Sequence, residues 1–374
     1  MHQIIPASCS YFEQCFHVYV ILQEELYNAT GNKAIKPDAL SYTATINCLA
    51  KSTSEVDLQH GLEWAHRMEA TGVDPNIRTF AGIIECIAAY YQRLEVIHGG
   101  NDELNSELIN RLKSILSSMK DFGITPNVYV YGLILDVLSK KSSPHQIVNV
   151  LNIMSRNGVE PNAFCYSAAI NSYVYSDLPP DEIVGYSLSL LEQCPLETRN
   201  SVMYTGVINA FTRLAPYLED AAMEATRLHN TMINSYKRTK LQEFKPTTLT
   251  YSALINCWAK SRARNRPEIA QTIYNELQQW YRNTGGDPDL EVTTVASNAL
   301  LDAFARSATM KNSHAWECQV ELQKIAEPDV RSYGAVILAY ANTGTWDASL
   351  NATRLVDDMV RQGVEPNEYT YTVR

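Results

Sequence analysis

Four stretches of this chain nearly superimpose. One runs Met68-Glu-Ala-Thr-Gly72-Val-Asp-Pro-Asn76, and the same frame recurs at Met119–Asn127, Met154–Asn162 and Met359–Asn367. A Gly at the end of an apolar-periodic run marks the left-handed position that closes a helix. A Pro three residues on cannot continue that helix. Recurrence of such a unit constrains the fold more than any composition figure, because one supersecondary unit is being copied along the chain.

After each Pro-Asn, or its equivalent, comes a second recurring block, as in Leu40–Lys51, Tyr129–Lys140, Leu249–Lys260 and Arg331–Asn342. Counting from the residue after the pair, repeats start at 39, 77, 128, 163, 201, 248, 294 and 330, with a truncated ninth at 368. Position four is aromatic in eight of the nine (Tyr42, Phe80, Tyr131, Tyr166, Tyr204, Tyr251, Tyr333 and Tyr371; Ser297 departs), and position eight of every full repeat is Ile or Leu. Position eleven is large and apolar throughout (Leu49, Ile87, Leu138, Tyr173, Phe211, Trp258, Phe304, Tyr340). Spacing i, i+4, i+7 is one face of a helix. The second helix of a unit is clearest after Ser143-Pro144, a cap followed by Pro at the first helical position. Two such helices cannot bury their stripes alone, so neighbours must stack into a solenoid. The expected class is all-α, with 1–38 a partial repeat ending in a second helix, 39–367 eight repeats and 368–374 a cut ninth. The extra residues of long repeats, such as 92–106 and 282–291, are expected in loops or helix extensions.

Composition enters where partners are concerned. The formal charge is −10, which opposes a generic polyanion binder, since such affinity rests on many Lys and Arg contacts to phosphate. No apolar run is long enough to suggest a membrane span. The eight cysteines form no CxxC pair or zinc-spaced cluster, and reduced thiols are the simplest reading. His60 and His66 lie off one helical face and are no metal pair. Phosphate-binding loop, HExxH and deaminase signatures are absent, so neither enzyme, cofactor nor small-molecule substrate is expected.

A unit of this length, with its aromatic-x-x-apolar-[Ile/Leu]-[Asn/Asp] opening and Met-x-x-x-Gly-[Val/Ile]-x-Pro-[Asn/Asp] ending, resembles the pentatricopeptide repeat. The resemblance covers essentially the whole chain and implies a right-handed α-solenoid that binds single-stranded RNA, one base per repeat. It further implies an adaptor in organelle RNA processing, stability or translation, with other RNA-processing proteins as partners. It suggests mitochondrion or plastid, although the first nineteen residues hold no Lys or Arg and make a poor transit peptide. Both ends break mid-unit, as in a piece of a longer protein.

In that family the fifth and last residues of a repeat select the base, and second residues sandwich neighbouring bases. Carried over, Thr43 with Asn76 and Ser167 with Asn200 look like adenine readers, and Asn298 with Asp329 like a uracil reader. The other five pairs are one-sided (Gly132/Asn162, Gly334/Asn367) or off-code (Ala81/Asn127, Thr205/Thr247, Ser252/Thr293). Position thirteen carries Lys51, Lys140, Arg213, Lys260 and Arg306, a row able to track phosphates on a net acidic protein. Its plain alternative is the preference of cations for helix C-termini. Second-position Leu40, Phe164, Val202, Leu249 and Val295 are equally readable as base clamps or as packing. Position nine, Asn or Asp in six of eight repeats, reads as inter-repeat hydrogen bonding. Position ten (Cys48, Cys86, Cys257, or Ala) reads as a small-residue slot. The alternative function is a protein-binding scaffold, favoured by the net charge and the off-code pairs.

Overall fold

The four Met-x-x-x-Gly motifs close their helices in one geometry. Val73 N–H donates to the Met68 carbonyl at 2.8 Å and Gly72 N–H to Glu69 at 2.8 Å. The same two bonds join Ile124 to Met119, Val159 to Met154 and Val364 to Met359, with the intervening glycines at φ between 66° and 77°. This is the Schellman closure, which satisfies carbonyls that the helix end leaves open. The Asn that follows caps the next helix: Asn76, Asn127, Asn162 and Asn367 each accept, through Oδ1, from a backbone N–H three residues on. One nine-residue motif thus ends one helix and begins another.

A computed structural model describes residues 10–51, 61–99, 102–139 and 144–372; among them all regular structure is helical. A helix opens at each of the nine positions from which repeats are counted. The chain divides into two compact units, residues 1–172 and 173–374, each described by itself.

The first unit holds α1 (Ser10–Thr30), α2 (Ala39–Ala50), α3 (Gly61–Ala70), α4 (Ile77–His98), α5 (Asp102–Asp121), α6 (Val128–Ser139) and α7 (Pro144–Arg156), together with most of α8 (Ala163–Val174). Helices α2, α4 and α6 lie side by side, while α3, α5 and α7 pack behind their own partners. The insertion of the 51-residue repeat is helical: α4 runs through Gln92 to His98, and α5 takes up Asp102 to Ser106. Ser143 lies outside the described residues.

The second unit continues with α9 (Pro180–Gln193), α10 (Ser201–Leu214), α11 (Ala221–Thr239), α12 (Thr248–Lys260) and α13 (Arg266–Asn283). It ends with α14 (Thr294–Ser307), α15 (His314–Leu322), α16 (Val330–Thr343), α17 (Ala348–Arg361) and α18 (Glu368–Thr372). Helices α10, α12, α14 and α16 form one layer, each wedged between its own following helix and the preceding one of the second layer. This stacking of helix pairs is the α-solenoid fold class. All eight residues at position eight are fully buried, from Ile46 to Ile337, and position eleven is buried except at half-buried Tyr340. The position-four rings are buried too, except half-buried Tyr166 and exposed Tyr371 at the end of the chain. Tenth-position Cys86 and Cys257 sit fully buried beside equally buried Ala210, Ala303 and Ala339. Burial pushes both thiols up to about 12, so they are packing atoms rather than nucleophiles.

Repeats without the Met-x-x-x-Gly motif close differently. Single 3₁₀ turns at Lys33–Ile35, Leu196–Thr198, Gln242–Phe244 and Pro288–Leu290 precede four of the next helices. Two of them drive an apolar plug inward, with Phe244 and Leu290 buried, so they seal the layer as well as turn the chain.

Candidate nucleic-acid interface

Every full repeat places its last residue at the N-cap of the next first-layer helix. Asp38, Asn200 and Asp329 accept from Ser41 N–H at 2.8 Å, Met203 N–H at 3.0 Å and Ser332 N–H at 2.8 Å. Thr247 caps weakly, at 3.4 Å from Thr250 N–H, and Thr293 makes no side-chain cap bond. The recurring Asn or Asp therefore has a structural cause, worth about 1 kcal/mol per cap. Capping by Asn uses its side-chain oxygen.

Beside this cap lies the fifth residue of the preceding first-layer helix. Thr43, Ser167 and Asn298 are each 7–8% exposed; at Thr43 and Asn298 the neighbouring first-layer helix of the same unit lies alongside. In the second unit Asn298 Nδ2 donates to Asp329 Oδ1 at 3.0 Å, so the fifth and last residues of that repeat are in contact. Burial alone would raise the Asp329 carboxyl. Hydrogen bonds from Ser332 N–H, the Asn298 amide and the Ser332 hydroxyl outweigh it and hold the carboxyl below its ordinary value. In the first unit Thr43 donates to the Ala39 carbonyl of its own helix at 2.7 Å, and Asn76 caps α4 through Arg78 and Thr79. Ser167 Oγ is buried with no hydrogen-bond partner, and Asn200 is half-buried at its cap in the other unit.

Second-position side chains project outward in both units. Leu40 is 72% exposed and Leu249 69%, and Tyr129, Phe164, Val202 and Val295 are all more than half exposed, with Arg78 and Arg331 exposed between them. The Phe164 ring lies 3.4 Å from where a Cβ on Gly132 would be, so a second residue sits over the fifth of the preceding repeat.

These positions line grooves. In the first unit a groove of about 780 Å³ is bordered by Leu40, Thr43, Asn47, Asn76, Arg78 and Tyr129. In the second, one of about 840 Å³ gathers Asn298, Asn209, Asn256, Arg213, Lys260 and Arg306, with Arg331 and two acids, Asp177 and Asp302. Ninth-position Asn209 and Asn256 face this groove without side-chain hydrogen bonds, contrary to the inter-repeat bonding expected of them.

The thirteenth-position row divides. Lys51 and Lys260 are exposed. Arg213 turns its guanidinium onto the carbonyls of Val174, at 2.8 Å, and Ser176. Asn342, at the same position, bonds the Ala305 carbonyl at 2.9 Å. That is the helix-end role, satisfying carbonyls that a finished helix leaves open. Arg306 is paired with Asp302 at 2.8 Å. Lys140 lies outside the described residues.

A stack of helix pairs whose first layer lines grooves with exposed apolar, amide and cationic side chains defines a helical-repeat protein. The chain is similar to pentatricopeptide repeat proteins: the PPR repeat family matches residues 126–174 and 328–373. Among curated relatives, a mitochondrial 15S rRNA processing factor, ppr3, of Schizosaccharomyces japonicus is 26% identical over 195 residues, 52% of this chain and 26% of that one. A chloroplastic pentatricopeptide repeat-containing protein of Arabidopsis thaliana is 20% identical over 276 residues, 66% of this chain and 32% of the relative. The chain thus spans about a quarter to a third of the length of these two. A solved structure of the pentatricopeptide repeat protein PPR10, in complex with an 18-nt psaJ RNA element, is 17% identical, covering 99% of this chain and 52% of that one at a TM-score of 0.37.

Proposed function

We propose that this chain binds single-stranded RNA sequence-selectively along its first-layer helices, as an adaptor without chemistry of its own. The observation that carries the reading is the second-position row. Six large apolar side chains stand exposed in water, each two residues beyond the Asn, Asp or Thr at the N-cap position of its helix, and the Phe164 ring lies over fifth-position Gly132. Exposed apolar rows of this kind mark binding surfaces, and flat or branched apolar groups between polar ones suit unstacked bases. In this reading the chain comprises eight full repeats with starts at 39, 77, 128, 163, 201, 248, 294 and 330. Thr43/Asn76, Ser167/Asn200 and Asn298/Asp329 read bases, and Lys51 and Lys260 meet phosphates, with Arg213 and Arg306 less available. An organelle role in RNA processing, stability or translation is supported by relatives named as a mitochondrial rRNA processing factor and a chloroplastic protein. Selection from a random single-stranded RNA pool tests the proposal. It predicts enrichment of one motif, bound more tightly than the same motif held in a duplex. Failure to enrich any motif contradicts it and leaves the protein-binding scaffold, which the net charge of −10 favours.

A further inference from the structure

Ser332 is the third residue of its repeat and is completely buried, yet its hydroxyl reaches back to the preceding repeat. Oγ lies 2.6 Å from Asn298 Oδ1 and 3.0 Å from Asp329 Oδ1, while accepting from Asp329 N–H at 3.1 Å. A serine has one proton to give, and the shorter contact takes it to Asn298. The Asn298 amide is thereby fixed at both ends: its oxygen accepts from Ser332, and its Nδ2 donates to Asp329 at 3.0 Å. What remains toward the groove that Asn298 lines is its second amide N–H, while the Asp329 carboxyl also takes a bond from Arg331 N–H.

The same device recurs two repeats earlier with different residues. Thr250, also third in its repeat and fully buried, lies 2.8 Å from Thr205 Oγ1 and 3.2 Å from Thr247 Oγ1. Those are the fifth and last residues of the preceding repeat. Thr205 gives its own proton to the Ser201 carbonyl at 2.7 Å, so Thr250 is the donor between them. In both places a buried third-position hydroxyl donates to the oxygen of the preceding fifth residue.

We propose that Ser332 is a positioning residue for base selection by Asn298. By occupying the amide oxygen, it makes Asn298 present only a donor to the RNA. The inference rests on the RNA-binding reading and deepens it. A donor-only amide favours a base edge that offers a carbonyl, as uracil does, over one that offers an amino group there, as cytosine does. Removing the hydroxyl frees the oxygen to accept that amino group.

The test takes the RNA that the wild-type chain enriches from a random pool. The nucleotide facing this repeat is the one whose preference moves in Asn298→Thr. Competition between uracil and cytosine at that nucleotide is then measured for wild type, Ser332→Ala and Ser332→Thr. Ser332→Ala is expected to lower the uracil preference about five- to tenfold, one hydrogen bond's worth, with selectivity at other nucleotides unchanged. Ser332→Thr, the residue type that Thr250 uses at the same position, is expected to restore it. A capping role alone moves the melting temperature and leaves selectivity intact. An unchanged uracil preference in a folded Ser332→Ala chain therefore overturns the inference while leaving RNA binding standing. A wild-type chain that enriches no RNA overturns both.

Discussion

His229 is 2% exposed, its ring packs edge-on against Tyr251 at 4.8 Å between centroids, and its Nε2 has no partner. Burial alone lowers its pKa to about 4. The unfolded chain takes up the proton near the ordinary value of about 6.5, and the folded one does not, so stability falls as pH drops from about 6.5 to about 4. The full loss is on the order of 3 kcal/mol. The depressed Asp329 carboxyl acts in a separate window, contributing above its unfolded value and losing that contribution as pH falls through its lower folded value. Thermal melts of wild type and His229→Phe at pH 7 and pH 5 are expected to show a drop for wild type and a smaller one for the variant; equal drops would remove His229 from the explanation. At Asn298 the sequence alone suggests a cheap site, off the 4-8-11 stripe and costing under about 1 kcal/mol to change. The structure instead shows a near-buried amide with two partners, so Asn298→Thr is expected to cost about 1–3 kcal/mol. Thr43→Asn, whose hydroxyl bonds only within its own helix, is expected to cost less, and urea melts of the two variants rank them.

At the scale of elements, what was legible in the sequence was the helix face and its start. Positions four, eight and eleven announce a buried stripe because their spacing is that of one helical face, and the Asn or Asp before each block announces a cap. The burial of position five was not legible: it lies beside the stripe, and only the approach of the neighbouring helix covers it. Nor were the 3₁₀ closures, since Leu196-Glu-Thr, Gln242-Glu-Phe and Pro288-Asp-Leu share no motif. The second-position row was ambiguous because an apolar residue at a helix start packs as readily as it projects. Two glycines separate these causes by experiment. Gly158, at φ 72° with open space around it, is expected to cost about 1 kcal/mol on substitution by Ala, and less by Asn, which tolerates the left-handed region. Gly82 has ordinary helical backbone, but a Cβ there would lie 2.6 Å from Asn47 Oδ1 and 2.8 Å from Ile46 Cγ2. Gly82→Ala is expected to destabilise the first unit by forcing α2 and α4 apart, despite Ala's better helix propensity. A stabilised Gly82→Ala in chemical denaturation would contradict that close approach.

For the molecule as a whole, the proposed RNA binding has to be reconciled with a chain of charge −10. The groove of the second unit answers in part, with Arg213, Lys260, Arg306 and Arg331 against Asp177 and Asp302. Because Arg213 and Arg306 already have partners, the salt dependence of binding is expected to rest on fewer phosphate contacts than the row of five suggests. Changing Lys51 and Lys260 together to Gln is expected to flatten the logarithmic salt slope by about 1.4, the single-strand value for two contacts. An unchanged slope would return both lysines to the role of helix-end charges. The central claim is that each repeat addresses one base, and it meets its most direct test at Asn298. Competition binding of wild type and Asn298→Thr, using RNAs that differ at one nucleotide at a time, is the measurement. If the fifth and last residues act together as in the family, preference moves from uracil toward guanine at a single nucleotide, by about 1–2 kcal/mol, while every other position keeps its preference. A preference that moves nowhere, or at many nucleotides together, contradicts the claim.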